Sequence, residues 1–318
     1  MNVARRQMIG GLLLFGAAAI AMIFANSPLG GVYQGFASIE LLKGAAIFLF
    51  FLSVGIELRH EILHGSLRKP KQAVVPIFAA MGGLALPVVI YSLFNAGTEA
   101  AVGWGVPMSS DMAFALGVLA IAGRWLPKQI RTYVLTVAVV DDSSTILIIA
   151  IFYASSFHML SLASLGGVIV GLLVPKLQGI QNGLDKIVAF GALPLFALMS
   201  AGVDLSHLPS GSDIPVMLVV GILVAMIIGK PLGVIGTTWI VVKSGLGALP
   251  QGVKWKDLIP ALLVFGMCFT LAMVMTELSF GENEQLHALA NLIVIIASLT
   301  VALISSAALT ARKVTRVE

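Results

Sequence analysis

From Gln72 to Thr98 the chain runs without a single Asp, Glu, Lys or Arg. A helix of that length outreaches the roughly 30 Å of a bilayer's hydrocarbon layer at about 1.5 Å per residue. Similar stretches recur along the whole sequence, in which 58% of residues are hydrophobic, 11% are charged and the mean hydropathy is +1.02. Lipid offers no hydrogen bonds, so such long continuous runs predict helices, whereas a barrel would need short alternating segments. The expected fold class is therefore an all-α membrane protein, with 1–318 forming a single polytopic domain. A soluble domain would need charge spread over its surface. The single cysteine, Cys268, excludes a disulfide within the chain and a cysteine-rich metal cluster. Arg5 and Arg6 precede the apolar run Met8 to Ala25 as in a signal peptide, but that run lacks a clear small-residue cleavage site and reads as the first span.

Ten spans are expected, near 8–26, 38–58, 73–95, 102–122, 132–154, 159–175, 187–205, 214–241, 258–279 and 287–310. With the N-terminus cytoplasmic, all but two of the nineteen Lys and Arg residues fall inside: Arg5 and Arg6; Arg59, Arg68, Lys69 and Lys71; Arg124, Lys128 and Arg131; Lys176 and Lys186; Lys243, Lys254 and Lys256; Arg312, Lys313 and Arg316. The outer loops carry Glu99, Asp204, Asp213, Glu282 and Glu284 instead, as the positive-inside rule requires. The net charge of +4 thus reflects topology, and basic residues scattered over six short cytoplasmic segments give no nucleic-acid surface. The partner implied is the lipid bilayer.

The two remaining cations are informative. Lys43, near the start of span 2, can snorkel to the outer interface. Lys230 lies about twenty ångströms from either side on the helical rise and needs a buried partner. Asp111 sits equally deep in span 4, and the tandem Asp141-Asp142 lies near the middle of span 5. Three acids against one lysine leave more negative charge than a structural ion pair needs, although such a network remains an alternative. The expectation is a proton or cation site. Gly103, Gly105 and Pro107 directly precede Ser109-Ser110-Asp111, and Gly266-Met267-Cys268-Phe269-Thr270 falls near the middle of span 9, so both helices are expected to break. Spans 4 and 9 are five apart, which places the breaks at equivalent positions of two inverted five-helix halves. Each break exposes amides and carbonyls that can hold ions.

Four segments in succession carry a resemblance: Ser110-Asp111-Met112-Ala113-Phe114-Ala115-Leu116-Gly117-Val118, Asp141-Asp142, Pro194-Leu195-Phe196-Ala197 with Ala201-Gly202-Val203, and Gly229-Lys230-Pro231-Leu232-Gly233, preceded by Val54-Gly55-Ile56-Glu57. Together they resemble the NhaA-type sodium/proton antiporter family over nearly the whole chain. The resemblance implies an electrogenic secondary transporter of a bacterial inner membrane, not an enzyme, exporting Na+ or Li+ for external H+ without a cofactor. It implies that Asp141 and Asp142 form the cation and proton site and that Lys230 pairs with Asp141. Asp111 and Lys230 would offset half-helix dipoles where spans 4 and 9 cross near the midplane. Ser110 and Thr270 are neighbouring polar residues, while Glu57, Glu61 and His60 are candidates for pH sensing. The ion-binding core would comprise mainly 73–154 and 214–310, and panel helices mainly 8–58 and 159–205.

The chain departs from the family pattern in particular places. Between Tyr153 and Leu165 it passes from span 5 directly into a segment resembling the family's eighth span, so about two of the usual twelve helices are missing. The segment Asn26 to Ile39 is too short for the hairpin through which relatives form homodimers. Leu162 stands where relatives carry a histidine tied to their pH response, His60 stands where they carry an arginine, and Ser143-Ser144-Thr145 is unusually polar. Other readings remain. His60-Glu61-Ile62-Leu63-His64 matches H-E-x-x-H, the pattern of a zinc protease, although it lies at a basic helix end. A cation-coupled solute symporter of the bile-acid transporter type has comparable architecture, and a transport-inactive relative would retain the motifs. Cys268 is expected to be a small packing residue, Gly167 to Gly171 a weak helix-packing motif, and Asp204, Asp213 and Glu277 solvated at the outer face.

Overall fold

The computed structural model describes residues 3–64, 68, 70–152, 159–174, 179–209 and 213–317, and no strand occurs among them. Helical segments fall in every interval where a span is expected. They are α1 Val3–Ala25, α3 Glu40–Leu63, α4 Pro70–Asn95, a 3-10 segment Glu99–Met108 followed by α5 Met112–Ile121, α6 Lys128–Phe152 and α7 Met159–Leu173. There follow α8 Gln181–Ile187 with α9 Leu193–Ser200, α10 Val216–Val224 with α11 Lys230–Lys243, α12 Trp255–Leu262 with α13 Thr270–Phe280, and α14 Glu284–Val317. A short helix, α2 Gly30–Ala37, lies between the first two spans. By length and composition, six helices among the described residues can cross a membrane, and Ile9–Ala25 and Leu162–Leu173 are shorter apolar ones. Large aliphatic side chains such as Ile23, Leu93 and Leu303 cover the outside, a surface that suits lipid and not water. The chain is a multi-pass membrane protein.

Glycine sets how closely the helices approach. α3 packs along α7, where a Cβ on Gly171 would stand 2.5 Å from the Leu52 carbonyl oxygen and one on Gly55 would stand 2.5 Å from that of Val168. Gly167 to Gly171, expected to be a weak motif, is thus one of the tightest seams in the fold. α4 packs on α11 through Gly82 and Gly233 in the same manner. α1 lies against α5 and α9.

Prolines explain two irregular turns. Val188–Ala192 and Ala225–Gly229 are π-helical, and Pro194 and Pro231 follow each by two residues. A proline ring collides with the carbonyl four residues earlier and leaves it without an N–H partner, and one wider turn relieves both problems. The segment Asn26 to Ile39 folds onto its own chain. Tyr33 Oη donates to Leu198 O (2.9 Å) and accepts from Gly202 N (3.0 Å). Asn26 donates to Val203 O (2.8 Å) and accepts from Leu205 N (2.9 Å). Burial pushes the Tyr33 phenol up to about 12, so it stays a donor. At the basic end of the molecule, Arg312 Nε bonds the buried Asp257 Oδ1 at 2.8 Å and ties α14 to α12.

Candidate ion-binding site

Asp141 and Asp142 are both fully buried on α6. Adjacent residues project about 100° apart on a helix, so they meet different neighbours. Asp141 faces Lys230, whose Nζ lies 2.8 Å from Oδ2 and 3.1 Å from Oδ1, and Ser110 Oγ donates to Oδ2 at 2.5 Å. Lys230 opens α11 directly after the Ala225–Gly229 π turn, and its Nζ also donates to Met108 O.

The expected breaks are present. The 3-10 segment kinks at Gly103 (φ −81°, ψ 15°), winds on through Gly105 and Pro107 to Met108, and extends at Ser109 (φ −80°, ψ 165°). The interruption therefore begins with a kink at a glycine, as expected, and the chain opens fully on the polar residues. On the other side Met267 is extended (φ −81°, ψ 124°) and α13 starts at Thr270. The two openings touch. Asp111 N donates to Met267 O (3.0 Å), Thr270 N donates to Asp111 Oδ2 (3.1 Å), and Ser109 Oγ lies 2.8 Å from Cys268 Sγ. Ser298 on α14 accepts from Cys268 N (3.3 Å) and donates to Cys268 O (2.5 Å). Lys230 thus meets the negative end of the 3-10 segment, and the Asp111 carboxylate meets the positive N-terminus of α13.

Asp142 differs from its neighbour. Neither of its carboxylate oxygens has a hydrogen-bond partner among the described residues, and the same holds for the buried hydroxyls of Thr145 and Thr270. Asp141, Asp111, Lys230 and Glu57 are the charges that act on it. A buried carboxylate with no donor is costly until it takes a proton or a cation, and hard monovalent cations prefer oxygen ligands.

The structure therefore brings Asp111, Ser110, Asp141, Asp142, Lys230 and Thr270 together. Glu57 borders them, whereas Glu61 accepts from Thr136 Oγ1 on α6 (2.9 Å) and His60 is exposed. Ser143 and Ser144 bond back to the carbonyls of Val139 and Val140, which leaves Thr145 as the available hydroxyl of that run. Sequence reasoning missed the Met108 carbonyl, Ser298 and the sulfur of Cys268 as parts of the crossing. The i+4 spacing from Asp141 to Thr145 was a usable signal, but a backbone carbonyl leaves none. Lys43 also departs from expectation, because it reaches Glu277 between helices and does not snorkel outward alone, whereas the Glu277 side chain stays 39% exposed. His60 and His64 rings are 5.4 Å apart, but no group of three His, Cys, Asp or Glu side chains among the described residues is placed to hold a metal ion.

A cavity of about 760 Å³ opens beside α6 and is lined by Lys128, Thr132, Tyr133, Thr136 and Gln251 among others. Thr136 is little more than one helical turn from Asp141. A second cavity, about 420 Å³, is lined by Asn95, Glu99, Asp213 and Asn283.

The sequence model described as Na+/H+ antiporter 1 matches residues 1–177 and 162–309. The chain belongs to that family. Relatives include the Na(+)/H(+) antiporter NhaA of Shewanella sediminis, 33% identical over 370 residues with 95% of this chain and 92% of the relative covered. That of Vibrio alginolyticus is 32% identical, with 96% and 95% covered, and that of Vibrio cholerae 31% identical, with 94% of each. The Shewanella alignment spans 370 positions against the 318 residues of this chain, so that family member carries residues with no counterpart here. The two matched pieces overlap at 162–177, within and just beyond α7.

Proposed function

We propose that the chain is an electrogenic sodium/proton antiporter, also accepting lithium, of a bacterial inner membrane with both termini cytoplasmic. It exports Na+ for external H+. The observation that carries this reading is the unsatisfied Asp142 carboxylate beside an Asp141 already held by Lys230 and Ser110. Two adjacent buried acids do not both stay charged cheaply, so protons and a cation compete for the pair. A cation arriving at Asp142 displaces its proton, and a proton arriving displaces the cation. Competition for one site, opened to one side at a time, gives exchange. Two carboxylates against one monovalent cation leave room for more protons than cations per cycle, and each net charge then draws about 2.3 kcal/mol per 100 mV from the membrane potential. Names of the relatives agree with this reading, and the basic loops on one face support the orientation.

The test uses everted vesicles from a host without its own sodium antiporters, with a pH-sensitive dye. Added Na+ or Li+ should dequench the dye with wild type, and Asp142→Asn should abolish the response at equal expression. A silent wild type at every pH, with every cation, would overturn the proposal.

A further inference from the structure

One buried hydroxyl beside the tandem acids has nothing to bond. Thr145 is fully buried on α6, and among the described residues its Oγ1 has no hydrogen-bond partner. The helix itself offers one. Ser143 and Ser144 each donate to the carbonyl four residues back, at 2.6 Å to Val139 O and 2.7 Å to Val140 O. Thr145 leaves the matching carbonyl, that of Asp141, untaken. A buried polar group in that state costs free energy until something meets it.

Its position says what that is. At about 100° and 1.5 Å per residue, Thr145 stands about 4.5 Å beyond Asp142 along the axis of α6, turned about 60° from Asp142 and about 40° from Asp141. Seen down the helix, it lies between the two acids. Side chains on a helix lean toward its N-terminus, so Thr145 tips back over the turn that carries both carboxylates. Asp141 is engaged by Lys230 and Ser110, whereas neither oxygen of Asp142 has a partner among the described residues. Thr145 and Asp142 therefore do not bond each other, although Cβ atoms three residues apart on a helix are only about 5–6 Å from one another. A hard cation the size of Na+ or Ca2+ holds its oxygens at about 2.3–2.6 Å, which spaces two of them wider than the roughly 2.5–3.0 Å of a shared proton. Two unbonded oxygens one turn apart on a buried face suit such an ion.

We propose that Thr145 Oγ1 is a ligand of the transported cation, joined through it to Asp142, and that this hydroxyl helps set affinity and the choice between Na+ and Li+. The proposal rests on the antiport reading above and deepens it. A hydroxyl ligates through its lone pairs and keeps its proton for a carbonyl, so with the ion bound Thr145 is satisfied on both counts. α6 runs away from the cavity lined by Lys128 and Thr132, which places Thr145 on the far side of the acids from that opening. An ion entering from the cavity reaches the carboxylates first and the hydroxyl last. A neutral oxygen adds a ligand without adding charge, and ligand number together with cavity size separates cations of different radius. Na+ is larger than Li+ and takes more oxygens, so loss of this one weighs more on Na+.

Calorimetric binding of Na+ and of Li+ to the purified full chain at one fixed pH, beside exchange in proteoliposomes, tests this. Thr145→Val keeps the shape and deletes the oxygen. It should weaken Na+ about tenfold and Li+ less, with the maximal exchange rate kept, and Thr145→Ser should restore affinity. Ser144→Ala, whose hydroxyl is engaged by Val140 O, should bind as wild type does. Thr145→Ala stands in if the valine variant fails to fold. Wild-type affinity in a folded Thr145→Val overturns the ligand, and so does a serine variant as weak as the valine one, because altered packing then explains the loss. Exchange of Na+ for H+ with binding unchanged in Thr145→Val leaves antiport standing and removes the ligand. Binding that weakens in Thr145→Val, in a chain that exchanges nothing, does the reverse, and a wild type that binds neither ion removes both.

Discussion

At the scale of single residues the site is asymmetric. Asp141 is held by an ammonium and a hydroxyl, while Asp142 beside it has neither. Removing one member of a buried pair strands the other, at a cost of roughly 3–5 kcal/mol. Lys230→Met is therefore expected to lower thermal stability in detergent markedly, and adding Asp141→Asn should return part of the loss by removing the stranded carboxylate. A double variant no more stable than Lys230→Met alone would contradict the pairing. The tandem acids and Lys230 were legible in the sequence because charge is conspicuous in apolar runs. Lys43 with Glu277 was not, since each stands near a helix end and only tertiary packing joins residues so far apart. Thr145 was visible as polar, but only the back-bonding of Ser143 and Ser144 distinguishes it.

For the helices, hydropathy located a helix in every expected span but not the short α2, while Gly103, Gly105 and Pro107 flagged the first interruption and Gly266 the second. The 3-10 winding of Glu99–Met108 and the two π turns were not foreseen, because propensity cannot say how a helix absorbs a proline. The seam between α3 and α7 gives a sharp prediction. Gly171→Ala would place a Cβ against backbone that cannot move aside, so the helices must separate and the melting temperature should fall by several degrees. Gly16→Ala, on α1 with nothing within 4 Å of the new methyl, should leave it nearly unchanged. Equal effects of the two substitutions would mean that the seam is not a close contact.

Across the whole molecule, family members carry segments that this chain lacks, yet the crossing, the tandem acids and the lysine are all assembled. The segment Asn26 to Ile39 is used internally, its Tyr33 and Asn26 bonded to residues 198–205. We expect light scattering in mild detergent to give the mass of a single protomer plus bound detergent, and a stable dimer there would show that another surface joins two copies. The Arg312 bond to Asp257 has a practical consequence for anyone attaching a reporter. A fluorescent protein or affinity tag spliced upstream of Arg312 removes the guanidinium from a carboxylate sealed beneath α14, and such a fusion should lose yield and monodispersity where one joined after Glu318 does not.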